Sequence, residues 1–368
     1  MISAIVRLLS WNVAAQAILL STMPFLPHLY SPSAFTEYAV FSSAALLFGQ
    51  CVSLRLPEAL RFETDQASII AASLLLSIAL SLLIIPFSPF LAAATAAIAL
   101  YNLVFNVLAD RQQYTPAGRL RLIRAVTLAL GQLGLFTVPN GLMIAYFGGH
   151  ALPAALHARD LWHIQWPSIL PILRKYAVFG VERTLSAAVL FGSQLTPLLA
   201  ARHAYSDAAI ASFALSDKLV GALCALLTLS IETVAYRELE PRTVRTHRYR
   251  IGLAYLMALV LTLPAIAISA SGVADALFPA DWNVLPRTLA ITLPTMPALV
   301  MTSFAIRILT LLRRTRLALV VSALMLVART GPFLLGVDQS SALALFAGLN
   351  VAAGFGAYLW MVMAAPRR

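Results

Sequence analysis

Residues 90–109 read FLAAATAAIALYNLVFNVLA, a run of 20 residues that contains no charged side chain. A helix rises about 1.5 Å per residue, so a run of this length matches the hydrocarbon core of a bilayer, which is about 30 Å thick. In that core the backbone amides must find their hydrogen bonds within the segment, which a helix allows. The run therefore predicts a membrane-spanning helix.

The composition of the whole chain agrees with this segment. Of 368 residues, 60% are apolar and 11% are charged, and the mean hydropathy is +0.85. Soluble domains hold about 25% charged residues, and disordered chains contain far fewer apolar residues than this one. Both classes are excluded, and we expect an all-α integral membrane protein.

Basic residues outnumber acidic ones 26 to 15, which in a soluble domain would suggest nucleic-acid binding. Here most of them stand at the ends of apolar runs, so we expect no nucleic-acid partner. The two cysteines, Cys51 and Cys224, lie inside apolar runs, which leaves no disulfide framework or CxxC zinc site. We expect neither a metal nor a cofactor.

Twelve apolar runs are long enough to be membrane-spanning helices. They are residues 4–27, 35–54, 67–87, 90–109, 122–138, 140–156, 177–199, 208–234, 251–271, 288–311, 317–337 and 341–363. Only Pro139, Asn140 and Gly141 separate the fifth run from the sixth, and this cluster is either a turn or a kink. A turn is favoured because one helix across both runs would be much longer than a bilayer is thick.

The positions of the basic residues predict the orientation, because short cytoplasmic loops are enriched in Lys and Arg. With the N-terminus inside, the cytoplasmic connections carry 20 basic residues and the outer ones only Arg202 and Arg287. We therefore predict that both termini are cytoplasmic. The cytoplasmic set includes three arginines in or beside a polar connection predicted around residues 110–121. They are Arg119, Arg121 and Arg124.

Comparison of the chain with itself at an offset of 175 residues indicates an internal repeat, residues 30–40 against residues 205–215. Tyr, Ser and two Ala positions are identical, and both copies sit in the outer turn after the first helix of a half. Six helices separate the copies, so the halves would be parallel repeats, which are typical of transporters. We predict two pseudo-symmetric six-helix lobes, residues 1–156 and 177–368, joined by a cytoplasmic linker at 157–176.

Four basic residues lie within predicted spans, where a charge is costly unless it faces a partner or a wet cavity. They are Arg183, Lys218, Arg307 and Arg329. The acidic candidates are Glu182 and Asp217. Their depths predict that Arg183 and Asp217 pair across a hairpin, so that Lys218 needs another partner or an anion. For Arg307, extension towards the cytoplasmic face is an equal alternative.

Uncharged polar residues also occur in the spans, notably Asn12 and Gln16 in the first. They either line a cavity or hold helices together by hydrogen bonds. Enzyme signatures are missing, because there is no HExxH pair and no phosphate-binding GxxxxGK[ST] loop. The six histidines all fall in or next to predicted connections. Transport would therefore draw on an ion or substrate gradient.

Residues 24–35, PFLPHLYSPSAF, resemble the L-x-R-L-Y-S-P-x-x-F-G motif of polysaccharide-biosynthesis flippases. These are the O-antigen and exopolysaccharide (Wzx-type) members of the multidrug/oligosaccharidyl-lipid/polysaccharide (MOP) exporter superfamily. Residues 278–282, FPADW, resemble the family's F-G-x-x-W outer loop. The chain departs from the first motif at His28, where the family has Arg, and at Thr36, where it has Gly.

The resemblance implies a cavity between two six-helix lobes in a bacterial inner membrane. Through it an undecaprenyl-pyrophosphate-linked glycan would pass outward by alternating access. Substrate contacts would come from the polar residues of the spans: Arg183, Lys218, Arg329, Arg307, Asn12 and Gln16. Asp217 and Glu182 would couple transport to H⁺ or Na⁺. Besides membrane lipids, a polysaccharide polymerase and glycosyltransferases are the expected partners.

Two other functions remain open at this stage. One is a multidrug antiporter of the same superfamily, which would export organic cations; the mostly basic residues of the spans disfavour it. The other is a non-transporting membrane subunit that recruits enzymes of polysaccharide synthesis through its basic cytoplasmic loops. Those loops are also explained by topology and by attraction to anionic lipids.

Overall fold

The computed structural model describes residues 2–62, 65–161, 169–238, 278–312 and 314–364. Every regular element in these ranges is a helix. The ninth predicted span, residues 251–271, lies outside the described residues, as does most of the basic connection before it.

The described chain forms a series of α-helices joined by short 3-10 helices and turns. The α-helices are α1 (Ile2–Thr22), α2 (Leu26–Leu29), α3 (Pro32–Cys51), α4 (Gln66–Leu82), α5 (Pro89–Asp110), α6 (Tyr114–Gly134), α7 (Gly141–Leu156), α8 (Ile169–Ala201), α9 (Asp207–Glu238), α10 (Leu285–Thr292), α11 (Met296–Leu311), α12 (Thr315–Leu334) and α13 (Gln339–Ala364). The 3-10 helices are Met23–Phe25, Leu56–Phe62, Ala158–Leu161, Ala280–Trp282 and Leu293–Thr295.

Within the described residues, seven helical segments are long and apolar enough to cross a membrane. They are Val6–Leu29, Pro89–Asp110, Ile169–Ala201, Asp207–Leu226, Ala280–Leu311, Thr315–Leu334 and Gln339–Trp360. Two more apolar helices, α4 and α7, are shorter, with 17 and 16 residues. A helical membrane protein is therefore supported, while the count of twelve spans stays a prediction.

The fifth and sixth apolar runs form separate helices, as predicted. α6 ends at Gly134, and α7 begins at Gly141 directly after Asn140, whose φ of +59° is left-handed. Asn enters this region more readily than most other residues that carry a Cβ. The cluster of turn residues is therefore a break between two helices.

The polar connection predicted around residues 110–121 is mostly helix, which corrects the sequence-based boundary. Only residues 111–113 separate α5 from α6. The arginines assigned to the cytoplasmic connections here therefore belong to α6; they are Arg119, Arg121 and Arg124. An apolar run ends at the first charged residue. A helix can continue past that residue, because aromatic rings can cover the guanidinium groups. Arg121, for example, lies with its Cζ 4.2 Å from the ring centroid of Phe105.

The chain divides into two compact units by its Cα packing. Unit 1 comprises residues 1–18 and 41–192, and unit 2 comprises residues 19–40 and 193–368. Helices α1, α3 and α8 therefore contribute residues to both units. The predicted division into lobes at residues 157–176 stays a prediction.

In unit 1, helices α6 and α7 pack closely through small residues. A Cβ added to Gly131 would lie 2.8 Å from the Cβ of Ala145, and one added to Gly149 would lie 3.1 Å from the Cβ of Leu128. Small residues at such contacts let membrane helices approach backbone to backbone. This packing sets the register in which polar side chains of α6 and α7 meet.

In unit 2, three aromatic rings from different helices form one cluster. Phe213 of α9 lies 4.9 Å from Phe333 of α12 and 5.2 Å from Phe346 of α13, measured between ring centroids. Aromatic pairs at such distances contribute beyond their buried area. The cluster holds α9, α12 and α13 together, and Phe346 also lies 5.4 Å from the Cζ of Arg329 in α12.

Candidate functional site

A buried ion pair lies in unit 1, between α8 and the 3-10 helix that follows α3. Arg183 and Glu58 each have a side chain that is 3% exposed, with Nε to Oε2 at 2.7 Å and Nη2 to Oε1 at 3.3 Å. This two-point geometry is the strong form of an Arg–carboxylate contact. Arg55 also donates to Glu58, from a backbone with φ of +53°. Glu58 therefore lies between two arginines.

The predicted pairing of Arg183 with Asp217 is wrong. Arg183 pairs with Glu58 instead, and Asp217 pairs with Arg329. The sequence-based argument matched depths along two neighbouring helices and treated Glu58 as part of a solvated connection. The connection is instead the 3-10 helix Leu56–Phe62, and the side chain of Glu58 is buried within it.

The second ion pair lies in unit 2, between α12 and α9. Arg329 is 4% exposed, and its Nη2 lies 2.5 Å from Oδ1 of Asp217, which is 22% exposed. The Nε of Arg329 donates to the carbonyl of Ser193 at 2.9 Å, and its Cζ lies 5.4 Å from the ring centroid of Phe346. The guanidinium is therefore held from several sides, while its carboxylate partner stays partly accessible.

Lys218, next in sequence to Asp217, points to a different neighbour. Its Nζ lies 4.7 Å from the ring centroid of Tyr38, which is buried. A cation over an aromatic face is stabilised by the ring quadrupole. The predicted need of Lys218 for a further partner is thus met in part by Tyr38 of α3, within unit 2.

The remaining predicted site residues are spread over several helices. Asn12 and Gln16 are buried, and their spacing of four residues places them on one face of α1. The Oε1 of Gln16 is buried and finds no hydrogen-bond donor within the described residues. Glu182 in α8 and Arg307 in α11 are half-buried. For Arg307 this degree of exposure fits either of the two expected roles.

A polar cluster in unit 1 was missed by the sequence analysis. Arg124 of α6 lies with Nη1 3.2 Å from Nε2 of His150 in α7, and its Cζ is 5.7 Å from the ring centroid of Tyr101. Nδ1 of His150 lies 2.9 Å from the carbonyl of Tyr146. His150 is 3% exposed and lies within α7, so its placement in or next to a connection is wrong.

The signal that could have revealed this cluster is the helical spacing of its members. Tyr146 and His150 are four residues apart, on one face of α7, next to the small residues that bring α6 close. The sequence analysis missed it because Arg124 was assigned to the cytoplasmic connections.

Metal binding is not indicated in the described chain, where no three His, Cys, Asp or Glu side chains come together.

The two stretches that resemble flippase motifs meet in unit 2. The rings of Phe35 and Trp282 are 5.5 Å apart between centroids, edge to face, and both side chains are buried. The two copies of the internal repeat also touch, because the Thr36 hydroxyl donates to the carbonyl of Asp207 at 3.3 Å. These contacts are structural and join α3 to α9 and to the turn before α10.

Solved transporter structures share the fold. A MATE in complex with MaL6 matches with a TM-score of 0.64 at 15% identity, over 98% of this chain and 95% of that one. A MOP superfamily transporter from Pyrococcus furiosus matches with a TM-score of 0.64 at 17% identity, over the same shares of the two chains. The Vibrio cholerae MATE transporter VcmN, in its bent form, matches with a TM-score of 0.59 at 20% identity, over 99% of this chain and 97% of that one.

Neither models of protein families nor curated proteins match the sequence. The structural likenesses establish that the chain has the fold of MATE and other MOP superfamily transporters. The proteins with which it shares this fold are transporters and not enzymes. Multidrug resistance MATE family transporters with this fold are known in an outward-facing conformation and in an inward-facing conformation. The fold therefore accommodates two access states.

Proposed function

We propose that this chain is a flippase that moves an undecaprenyl-pyrophosphate-linked oligosaccharide from the cytoplasmic to the outer leaflet of a bacterial inner membrane. The fold supports transport by alternating access, because solved transporters adopt it in outward-facing and inward-facing conformations. We propose residues 1–156 and 177–368 as the two lobes that would move. The motif resemblance at residues 24–35 supports the choice of cargo. We further propose that both termini are cytoplasmic and that a polymerase and glycosyltransferases are partners.

The observation that carries this proposal is the charge of the buried side chains. Among Lys, Arg, Asp and Glu side chains whose burial the structure describes, the buried ones are Arg121, Arg183, Arg329 and Glu58. An excess of buried positive charge suits an anionic cargo, because guanidinium groups bind phosphate oxygens at two points. The Pyrococcus furiosus relative offers a parallel, since reverse polarity of its binding pocket suggests a different function for that protein.

The Arg329–Asp217 pair supports a coupling mechanism. While Asp217 is ionised it neutralises Arg329, so Arg329 has little affinity for a phosphate. Protonation of Asp217 would remove the counter-charge and leave the guanidinium for the pyrophosphate group. Its partial exposure gives Asp217 a route to a proton, and we propose it as a coupling residue. Glu182 stays the second candidate.

The other proposed contacts to the cargo follow from their positions. Arg183 would bind pyrophosphate only by leaving Glu58, just as Arg329 would have to lose Asp217. Lys218 carries a single ammonium group, which lies over the ring of Tyr38 and suits a sugar or phosphate oxygen. Asn12, Gln16 and Arg307 are assigned to the sugar because they offer hydrogen bonds.

Transport by purified protein in liposomes tests the proposal. The liposomes hold the lipid-linked glycan, and a membrane-impermeant glycosidase outside measures how fast glycan leaves the inner leaflet. We expect movement by the wild-type protein and at least about a tenfold loss in Arg329→Ala, because a charged hydrogen bond contributes about 1.5–3 kcal/mol. Arg202→Ala, which changes an exposed arginine, is the matched control.

Wild-type rates in both Arg183→Ala and Arg329→Ala would discard their assignment to the cargo. Multidrug export is the second candidate function, because the fold is shared with MATE transporters and Asp217 is a partly exposed carboxylate that suits an organic cation. It would be established by export of an organic cation together with no movement of the lipid-linked glycan.

A further inference from the structure

The cluster of Arg124, His150, Tyr101 and Tyr146 is not used in the function proposed above. Arg124 lies within α6, about 15 Å along the helix from its start, where a charge requires compensation. Its contacts are His150 and the ring of Tyr101, and its Nε is buried with no hydrogen-bond acceptor within the described residues. No carboxylate of the described chain pairs with Arg124.

The hydrogen bonds of His150 define its protonation state in this arrangement. Nδ1 must donate to the carbonyl of Tyr146, and Nε2 must accept from Arg124, because an arginine only donates. His150 is therefore neutral while it contacts Arg124. A proton on Nε2 would remove that hydrogen bond and place two cations about 3 Å apart, a contact that requires an anion.

Among the side chains that the structure describes around His150, none would supply this anion. α5 presents Tyr101, α6 presents Arg124, and α7 itself presents the carbonyl of Tyr146. The 3-10 helix after α7 carries Arg159, which is exposed and is itself a cation, and Asp160, whose side chain lies outside the described part of the chain. No carboxylate of the described residues contacts His150. An anion bound here would therefore come from outside the described part of this cluster.

We infer that Arg124 and His150 form an anion site of unit 1 that takes up a phosphate-type anion together with one proton. When the anion binds, Arg124 turns its Nη1 from His150 to a phosphate oxygen, and Nε2 of His150 takes the proton and donates to the same anion. When the anion leaves, the proton leaves and the neutral pair reforms. The inference rests on the proposed function, in which the pyrophosphate of the cargo is the ligand.

Titration calorimetry on the full chain in detergent tests this site. The probes are diphenyl pyrophosphate, a diester whose charge is constant between pH 6 and 8, and inorganic phosphate. Tighter binding of the diester identifies a lipid-sugar headgroup as the ligand, and tighter binding of phosphate identifies the free anion. Runs in two buffers of different ionisation enthalpy give the protons taken up.

We expect the diester to bind more tightly as pH falls, by up to about tenfold per unit for one linked proton. His150→Gln and Arg124→Gln are measured in a chain that also carries Asp217→Asn and Arg329→Gln, because that pair is itself proposed to take up a proton and to bind pyrophosphate. In this background His150→Gln keeps a hydrogen-bonding side chain but should take up no proton and lose the pH dependence. Arg124→Gln should weaken binding at least about tenfold at every pH. His203→Gln and Arg202→Gln, which change exposed residues, should bind like the wild type.

Proton uptake that persists in His150→Gln in this background would overturn the inference, as would an affinity of Arg124→Gln equal to that of the background chain. Loss of folding is checked by the elution profile of each variant. Glycan transport without proton-linked binding would reject this site and leave the proposed function in place. Proton-linked binding without glycan transport would retain the site and reject that function.

Discussion

Glu58 lies between Arg55 and Arg183, and its side chain is as deeply buried as that of Arg183. Removal of one member of a buried ion pair leaves the other charge desolvated without its counter-charge, which costs about 3–5 kcal/mol. We therefore expect Glu58→Ala to lower the free energy of unfolding by about that amount. Thermal unfolding in detergent measures it.

Glu37→Ala is the control for this change. Like Glu58, Glu37 is a glutamate shortly after a turn, but its side chain is exposed. It should alter stability by less than about 0.5 kcal/mol. The double variant Glu58→Leu/Arg183→Leu should recover part of the loss, since apolar residues can replace a buried pair. Equal stability of Glu58→Ala and Glu37→Ala would show that the pair contributes nothing.

At the scale of helices, Gly354 sets how closely α13 approaches α11. A Cβ at this position would lie 2.6 Å from the Cα of Ala298 and 2.8 Å from its carbonyl oxygen. Backbone atoms cannot move aside as a flexible side chain can, so the helices must separate. We expect Gly354→Ala to destabilise the protein by about 1–3 kcal/mol, measured by thermal unfolding.

Gly356 provides the matched control two residues further along α13, because a Cβ there meets nothing within 4 Å. Gly356→Ala should be neutral or slightly stabilising, since Ala favours a helix over Gly by about 1 kcal/mol. If both variants lose stability equally, the close approach of α13 to α11 is not the cause.

We expect the start of α13 to depend on pH through Asp338. Its carboxylate accepts from the hydroxyl of Ser340 and from the backbone N–H of Ser341 at 3.1 Å, and these hydrogen bonds hold the pKa of Asp338 below its ordinary value. A lowered pKa adds stability that is present above about pH 4 and lost as pH falls further. Asp338→Ala should therefore be less stable than the wild type at pH 6, with a smaller difference at pH 3. A constant difference across this range would contradict the role of the carboxylate.

The ends of the helices show what could be predicted from the sequence. The boundaries of α5 and α7 lie within one residue of the predicted ones, because an apolar run and a turn residue mark each end. α6 and α8 each start eight residues earlier than predicted, because charged residues end an apolar run without ending a helix. Individual charge partners could not be predicted, since Glu58 reaches Arg183 across 125 positions of the chain.

At the scale of the whole molecule, the orientation is the property that links the sequence to the proposed direction of transport. The termini lie on the same side of the membrane only if the number of spans is even. A test of their sides therefore also tests whether the count is even, as twelve spans require. We expect a reporter that fluoresces only in the cytoplasm to be active at either terminus. In a variant without Cys51 and Cys224, Arg202→Cys should react with an impermeant maleimide added to intact cells.

Arg316→Cys is the opposite case, because Arg316 lies at the start of α12, on the predicted cytoplasmic side. It should react only after the cells are opened. If Arg202→Cys and Arg316→Cys react from the same side, the number of spans between these two positions is even, whereas three are predicted. The region between residues 202 and 316 includes the predicted span 251–271, so such a result would remove that span or another in this interval. The twenty-to-two distribution of basic residues argues against that outcome, because its alternation would then fail at every later connection.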